Sequence, residues 1–263
     1  MRRRCRSSSD LLALKRSDPD WPHGHRLVAL PEVGSTNDEA RNRAEAGEPG
    51  PLWIRADRQV KGRGRQGRAW GEANGNLYST LLIRPDLPAA TASLYSFIAC
   101  LAVAELFEAY GGTAQLKWPN DALLNGGKAA GVLLEASGQG ERLDWLAVGI
   151  GVNLVAHPDA DAGAAFPPTS LRAATGAEVS PDDALRHIAA AVARWGDVLR
   201  VRGFALIRDA WLSRAIRLGE RIEARLPGET IPGVFEDVDA EGALVLRTPT
   251  GARRIHAADI YFP

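Results

Sequence analysis

The stretch LKWPND at Leu116–Asp121, followed by KAAGVLLE at Lys128–Glu135, decides how this chain is read. A strand candidate over Ala114–Trp118 runs into Pro119, which has no backbone N–H to continue a ladder. The chain must leave the sheet there, carrying a cation (Lys117), an aromatic ring (Trp118), an amide (Asn120) and a carboxylate (Asp121). Lys128 then opens a second strand candidate, Lys128–Ala136. Its small residues Ala129, Ala130 and Gly131 let a ligand lie close against the backbone. Gly126-Gly127-Lys128 is not a phosphate-binding P-loop, because the upstream glycine that motif requires is missing. Taken singly, Trp118 suits a core position and Lys128 a strand end.

Upstream, GRGRQGR at Gly62–Arg68 formally satisfies the dinucleotide pattern through Gly62, Gly64 and Gly67. That pattern works only where the loop opens directly into a helix whose N-terminal amides hold the pyrophosphate. Here AWGEANGNLYST follows, full of helix breakers and then strand-like. Arg63, Arg65 and Arg68 instead alternate with small residues, so backbone amides and guanidinium forks can meet on one anion. A solvated basic loop touching nucleic acid is the competing reading of this segment alone.

The surrounding elements suggest an α+β chain. Arg26–Leu30, Pro51–Ala56 and Leu77–Ile83 are strand candidates, and a polar loop spans Asp57–Gly75. Thr36–Glu39 reads as a capping box opening a helix that stops at Gly47. Thr91–Tyr110 has a broad apolar face and is the clearest helix. Leu143–Leu154 forms a hairpin with Lys128–Ala136 across SGQGER; Val155–Pro168 is a loop, and helices follow over Pro181–Val201 and Phe204–Ile216. From Leu218 the composition shifts. Short strand candidates at Arg221–Arg225, Ile231–Val238, Ala243–Arg247 and Arg253–His256, joined by turn-rich PGET, DAEG and TPTG, predict a small β-barrel. The expected division is a disordered tail over 1–25, a larger unit over 26–217 and the barrel over 218–263.

The 263 residues are 45% hydrophobic and 24% charged, with 32 basic and 32 acidic side chains. This zero net charge argues against wholesale nucleic-acid or membrane binding. With only Cys5 and Cys100 there is no disulfide framework, which suits a reducing cytoplasm. No stretch has the apolar length of a membrane span. The five histidines form no HExxH or comparable metal set.

Taken together, the segments resemble the biotin–protein ligase family. GRGRQGR preceded by Gln59, the intact KWPND, the strand Lys128–Glu135, the helix entry Ser35-Thr36-Asn37, GIGVNL at Gly149–Leu154 and Thr169-Ser170-Leu171 match in the family's order and spacing. The resemblance covers about Val28 to Phe262. It implies a class II tRNA-synthetase-like catalytic domain with a mixed, largely antiparallel sheet, and an SH3-like C-terminal barrel. It also implies formation of biotinyl-5′-AMP from biotin and ATP with Mg2+, and transfer of biotin to a lysine of a biotin carboxyl carrier protein.

By the same resemblance Lys128 sits between the biotin carboxylate and the α-phosphate as the catalytic residue. Arg63 and Arg65 hold the carboxylate and phosphate side, with Arg68 nearer the triphosphate. Trp70 packs on the adenine or closes the loop. Ser35, Thr36, Asn37, Gln59, Gly62 and Gly131 line the biotin side. Asn120, Asp121 and Asn153 serve nucleotide, metal or ring positioning, with Asp121 the candidate for Mg2+. The residues before the catalytic motifs are too few and too polar for a DNA-recognition module, so no operator binding is expected. Monomer and homodimer both stay open. The rival in the same superfamily is a lipoate or octanoate ligase; the rival from another class is a non-catalytic nucleic-acid-binding protein.

Overall fold

The computed structural model describes residues 20–85, 88–139, 142–159 and 166–261. Seven strands form the larger sheet: β1 (Arg26–Val33), β2 (Leu52–Gln59), β3 (Leu77–Ile83), β4 (Ala114–Lys117), β5 (Asp121–Leu124), β6 (Gly127–Gln139) and β7 (Arg142–Val152). Their spatial order is β1-β2-β3-β7-β6-β5-β4. Only β1 and β2 pair in parallel, with helix α1 (Thr36–Glu45) as the crossover between them; the other pairs are antiparallel. The sheet is therefore mixed and largely antiparallel, as expected.

One face of the sheet carries helix α2 (Leu94–Ala109), buried on almost every side. The sheet lies against it on one side and α4 (Pro181–Arg202) and α5 (Ala205–Leu212) on the other. That sandwiching explains why α2 is apolar all round, whereas α4 keeps a single apolar stripe through Leu185, Ile188 and Val192. Phe97 meets Trp211 and Phe204 edge to face at 5.1 and 5.2 Å. Each such fully buried large side chain contributes about 1.5–3 kcal/mol. Helix α4 starts on a Ser180 cap, its hydroxyl accepting from the Asp183 amide at 3.1 Å, with Pro181 as first residue. A short α3 (Leu171–Thr175) precedes it, capped by Ser170.

The second sheet has five antiparallel strands: β8 (Arg221–Leu226), β9 (Glu229–Val238), β10 (Leu244–Thr248), β11 (Gly251–Ile255) and β12 (Asp259–Tyr261), in the order β11-β10-β9-β8-β12. Its buried Ile222, Phe235, Leu246 and Ile260 belong to the same hydrophobic cluster as Phe97 and Trp211. Trp118 Nε1 donates across the junction to the Gly242 carbonyl at 3.1 Å. The barrel is thus packed onto the end of α2 and onto the KWPND turn.

Several sequence expectations need correction. The predicted polar loop from Asp57 starts late: β2 continues to Gln59, because its ladder with β1 pairs Glu32 with Arg58 and Val33 with Gln59 whatever their polarity. The residues after Pro119 make a strand of their own, β5, hairpinned to β4 with Lys117 opposite Asp121. The barrel has a fifth strand, β12, which closes against β8. The capping box is absent, since Thr36 sends its hydroxyl to Gln59 and Glu39 pairs with Arg43. Residues 1–19 of the expected tail lie outside the described residues. Within 20–25, Trp21 packs on the core and its Nε1 donates to the His25 carbonyl at 2.8 Å, so that part is not a free tail.

Candidate active site

A cavity of about 300 Å³ opens on the face of the large sheet opposite α2, between α1, the arginine loop, the ends of β5–β7 and the β12 edge of the barrel. Its inner end is polar. Ser35, Thr36 and Asn37 enter from the start of α1 and Gln59 from the end of β2, all buried. Gln59 Oε1 accepts from the Thr36 amide at 2.9 Å and from the Thr36 hydroxyl at 3.1 Å. Thr80, fully buried at the centre of β3, puts its hydroxyl 2.8 Å from Thr36 Oγ1 and 2.7 Å from Asn37 Oδ1. Asn37 Nδ2 donates on to the Leu133 carbonyl at 3.3 Å. The polar groups are thereby held in fixed orientations, and buried groups so held discriminate strongly among ligands.

The wall beyond is made of glycines. A Cβ at Gly149 would stand 2.2 Å from Asn37 Oδ1, and one at Gly151 2.6 Å from the Trp70 ring. A Cβ at Gly131 would stand 3.0 Å from that ring. Trp70 therefore lies flat on the Gly131–Gly151 surface, with its Nε1 buried and unpartnered.

The outer end is charged. Lys128 Nζ lies 2.7 Å from Asp121 Oδ1 and 5.9 Å from the Trp70 ring centroid. The two residues lie on neighbouring strands, Lys128 opposite Leu123 and Asp121 opposite Gly131, with a register shift between Ala122 and Leu123. Arg65 reaches Asn120 Oδ1 at 3.5 Å and the Ala258 carbonyl of the barrel at 3.4 Å. Arg68 lines the same mouth.

Ser35, Thr36, Asn37, Gln59, Arg63, Arg65, Arg68, Trp70, Asn120, Asp121, Lys128, Gly131 and Asn153 all border this one cavity. Gly62 stands behind it: a Cβ there would be 2.5 Å from Gln59 Nε2 and 2.9 Å from the Trp70 carbonyl, so glycine is what lets the loop close. Three roles shift. Asn120 and Asn153 spend their amide N–H groups on the Val132 and Thr169 carbonyls, at 2.5 and 3.0 Å, and so pin loops at the rim. The Arg63 guanidinium is forked onto two carboxylates, Asp38 and Glu135. Trp70 faces the glycine wall.

Thr80, Asp38 and Ala258 are site elements that sequence reasoning missed, and Gly149 and Gly151 stood in the quoted GIGVNL strand without a named role. Glu135 stood in the quoted strand motif without a role; Asp38 was hidden by the capping-box reading. A protein-held Mg2+ does not fit the donors, since Asp121 is paired with Lys128 and Asp38 and Glu135 with Arg63. Among the described residues no group of three or more His, Cys, Asp or Glu side chains could hold a metal ion.

Comparison with known proteins agrees with this geometry. Residues 33–153 match the Biotin/lipoate A/B protein ligase family, and residues 218–262 match the Biotin protein ligase C terminal domain. The biotin–[acetyl-CoA-carboxylase] ligase of Paracoccus denitrificans is 48% identical over 89% of this chain and 99% of its own length. The chain belongs to the biotin–protein ligase family. The Bacillus subtilis bifunctional ligase/repressor is 32% identical over 90% of this chain and 74% of its own length. Among solved structures, the Aquifex aeolicus biotin protein ligase in complex with biotin and ATP superposes with a TM-score of 0.73, at 26% identity over 89% of this chain and 97% of that one. The Leishmania major biotin protein ligase in complex with biotinyl-5-AMP superposes with a TM-score of 0.60, at 26% identity over 88% of this chain and 99% of that one.

Proposed function

We propose that the cavity is where this biotin–protein ligase condenses biotin with ATP to biotinyl-5′-AMP, and that Lys128 and Arg65 carry the charge of that step. The supporting observation is the layout of one continuous cavity, with an oriented, neutral, polar end at Thr36, Asn37 and Gln59 and a cationic end at Lys128 and Arg65. The ureido ring of biotin presents both donors and acceptors and suits the first end. The carboxylate at the end of its flexible chain suits the second.

In the first half-reaction a biotin carboxylate oxygen attacks the α-phosphorus of ATP and the bond to the pyrophosphate oxygen breaks. Two anions must be brought together, so fixed cations that need no rearrangement lower the barrier. Lys128 donates to the incoming oxygens while Asp121, at 2.7 Å, holds the ammonium in place. Arg65, anchored to Asn120 and Ala258, bridges the loop to the barrel over the phosphates. Mg2+ carried by the ATP phosphates would supply charge neutralisation at the pyrophosphate, leaving the carboxylate end to Lys128 and Arg65. In the second half-reaction the amine of a carrier lysine attacks the acyl carbon of the mixed anhydride, an amide forms, and AMP leaves. No enzyme nucleophile is required.

The expected acceptor is the biotin carboxyl carrier domain of a carboxylase, and the expected site of action is the cytoplasm. Among the described residues no helix is long and apolar enough to cross a membrane. The neighbouring lipoate reaction is disfavoured, because a dithiolane ring offers nothing to the oriented Thr36–Asn37–Gln59 set. The test is transfer of labelled biotin to such a carrier domain and to its lysine-to-arginine variant, with ATP and with lipoate as alternative acid. ATP-dependent labelling of the lysine form by biotin alone is the expected result. Labelling by lipoate, or of the arginine form, contradicts it.

A further inference from the structure

We infer that Asp38 and Glu135 are positioning residues of the ligase reaction, holding the arginine loop over the adenylate through a tether made by Arg63. The inference rests on the site reading above and assigns the loop its anchor. The Arg63 guanidinium donates to Asp38 through Nη1 at 2.7 Å and Nη2 at 2.8 Å. It also donates to Glu135 through Nη2 at 2.8 Å and Nε at 3.2 Å. Asp38 is held through both oxygens, the bidentate geometry in which arginine–carboxylate pairs are strongest, and Glu135 through Oε1 alone by two donors. The three side chains are only 23–34% exposed, so solvent screens the network less than an ordinary surface pair.

The tether joins three parts of the site. Asp38 lies in the first turn of α1, next to Thr36 and Asn37 of the polar end. Glu135 lies on β6, the strand that carries Lys128 and Gly131. Arg63 lies on the loop, which closes on itself: the Gly64 amide donates to the Arg68 carbonyl at 2.7 Å and the Trp70 amide to the Gly62 carbonyl at 3.0 Å. The segment from Gly62 to Trp70 is thus tied into one closed loop that carries Arg65, Arg68 and Trp70. Arg65 adds longer contacts from the same loop, to Asn120 at 3.5 Å and to the Ala258 carbonyl at 3.4 Å.

Charge tells the same story. Asp38 also pairs with Arg41 at 2.5 Å, so two guanidinium groups face two carboxylates. The Arg63 hydrogen bond is the main cause holding the Asp38 carboxyl below its usual range. Arg63 thus directs its guanidinium donors onto Asp38 and Glu135, into the tether. Its side chain acts on the reaction by placing the loop, in contrast to the direct phosphate contact the sequence resemblance implied.

The test measures release of labelled biotinyl-5′-AMP from the full chain after a single round of adenylation, alongside biotin-dependent pyrophosphate–ATP exchange. Asp38→Asn with Glu135→Gln keeps shape and removes both charges. Loss of charge-assisted bonds of this kind predicts release about tenfold to a hundredfold faster. Arg63→Ala should match that rate, and adding it to the carboxamide pair should change nothing further, as for residues acting through one shared interaction. Arg63→Lys should not restore retention, because an ammonium cannot fork onto two carboxylates. Glu135→Gln alone, a milder change, should give part of the effect with an unchanged melting temperature. Wild-type retention in the carboxamide pair, or a separate loss added by Arg63→Ala, would overturn the tether. Absence of exchange in the wild-type protein would overturn the site reading itself, and the tether with it.

Discussion

Gly149→Ala is a small change with a calculable consequence for biotin binding. Gly149 lies in the middle of β7, and a Cβ there would stand 2.2 Å from Asn37 Oδ1, 3.0 Å from Cγ and 3.1 Å from Nδ2. Ordinary contact begins at 3.4 Å, so the side chain must retreat by 3.4 − 2.2 = 1.2 Å or turn away. Either movement breaks the bonds from Thr80 at 2.7 Å and to Leu133 at 3.3 Å. Two buried hydrogen bonds at about 0.5–1.5 kcal/mol each put the loss at about 1–3 kcal/mol. If Asn37 orients the biotin ring, binding inherits that loss and biotin affinity falls by roughly one to two orders of magnitude. The affinity for ATP, bound at the other end, should stay within about twofold. Calorimetric titration with each ligand reads both numbers, and a melting curve registers the stability cost, expected at about 2–4 °C per kcal/mol for a domain of this size. Biotin affinity within twofold of wild type, in a variant that folds, would refute the assignment of the polar end to the ring.

Thr80→Val removes the hydroxyl beneath Thr36 and Asn37 without changing shape; the KM for biotin in pyrophosphate exchange should rise about tenfold with kcat nearly kept. Arg65→Gly deletes the long contacts to Asn120 and Ala258; biotinyl-5′-AMP release should be about three- to tenfold faster, and no change would remove Arg65 from the lid. Burial lowers His25 below its ordinary value of 6.5, and its neutral Nδ1 accepts from Trp53 Nε1 at 3.1 Å. The unfolded chain takes up that proton more readily, so stability is full above about pH 6.5 and declines as pH falls towards the folded value. Melting temperature against pH should show this decline, and His25→Gln should flatten it.

The site was legible in the sequence where chemistry and order coincide. Lys128, Asp121, Arg65 and the Ser35–Asn37 set come together in one cavity although they are scattered over some ninety residues, because strand ends and one helix start converge there. What escaped was contact without a local signature. Thr80 reads as one polar residue in an alternating strand, and its partners Thr36 and Asn37 are distant in sequence. The Arg63 tether joins residues 25 and 72 positions apart, and the charges of Asp38 and Glu135 read as surface until the loop is closed. β5 was missed because four residues beginning with an acid carry no periodicity, and it exists only through its pairing with β4 and β6. The fold's large strokes, α2 and the β6–β7 hairpin, were legible because long apolar runs tolerate few other structures.

The central claim is that Lys128 activates biotin for attack on ATP in this cavity, and biotin-dependent exchange of labelled pyrophosphate into ATP tests it most directly. Removing a preorganised cation aimed at developing charge costs about 100- to 1,000-fold in rate. Exchange is expected with biotin and not with lipoate, and Lys128→Ala should lose that much of it with the melting temperature kept. Exchange that survives Lys128→Ala at the wild-type rate would contradict it.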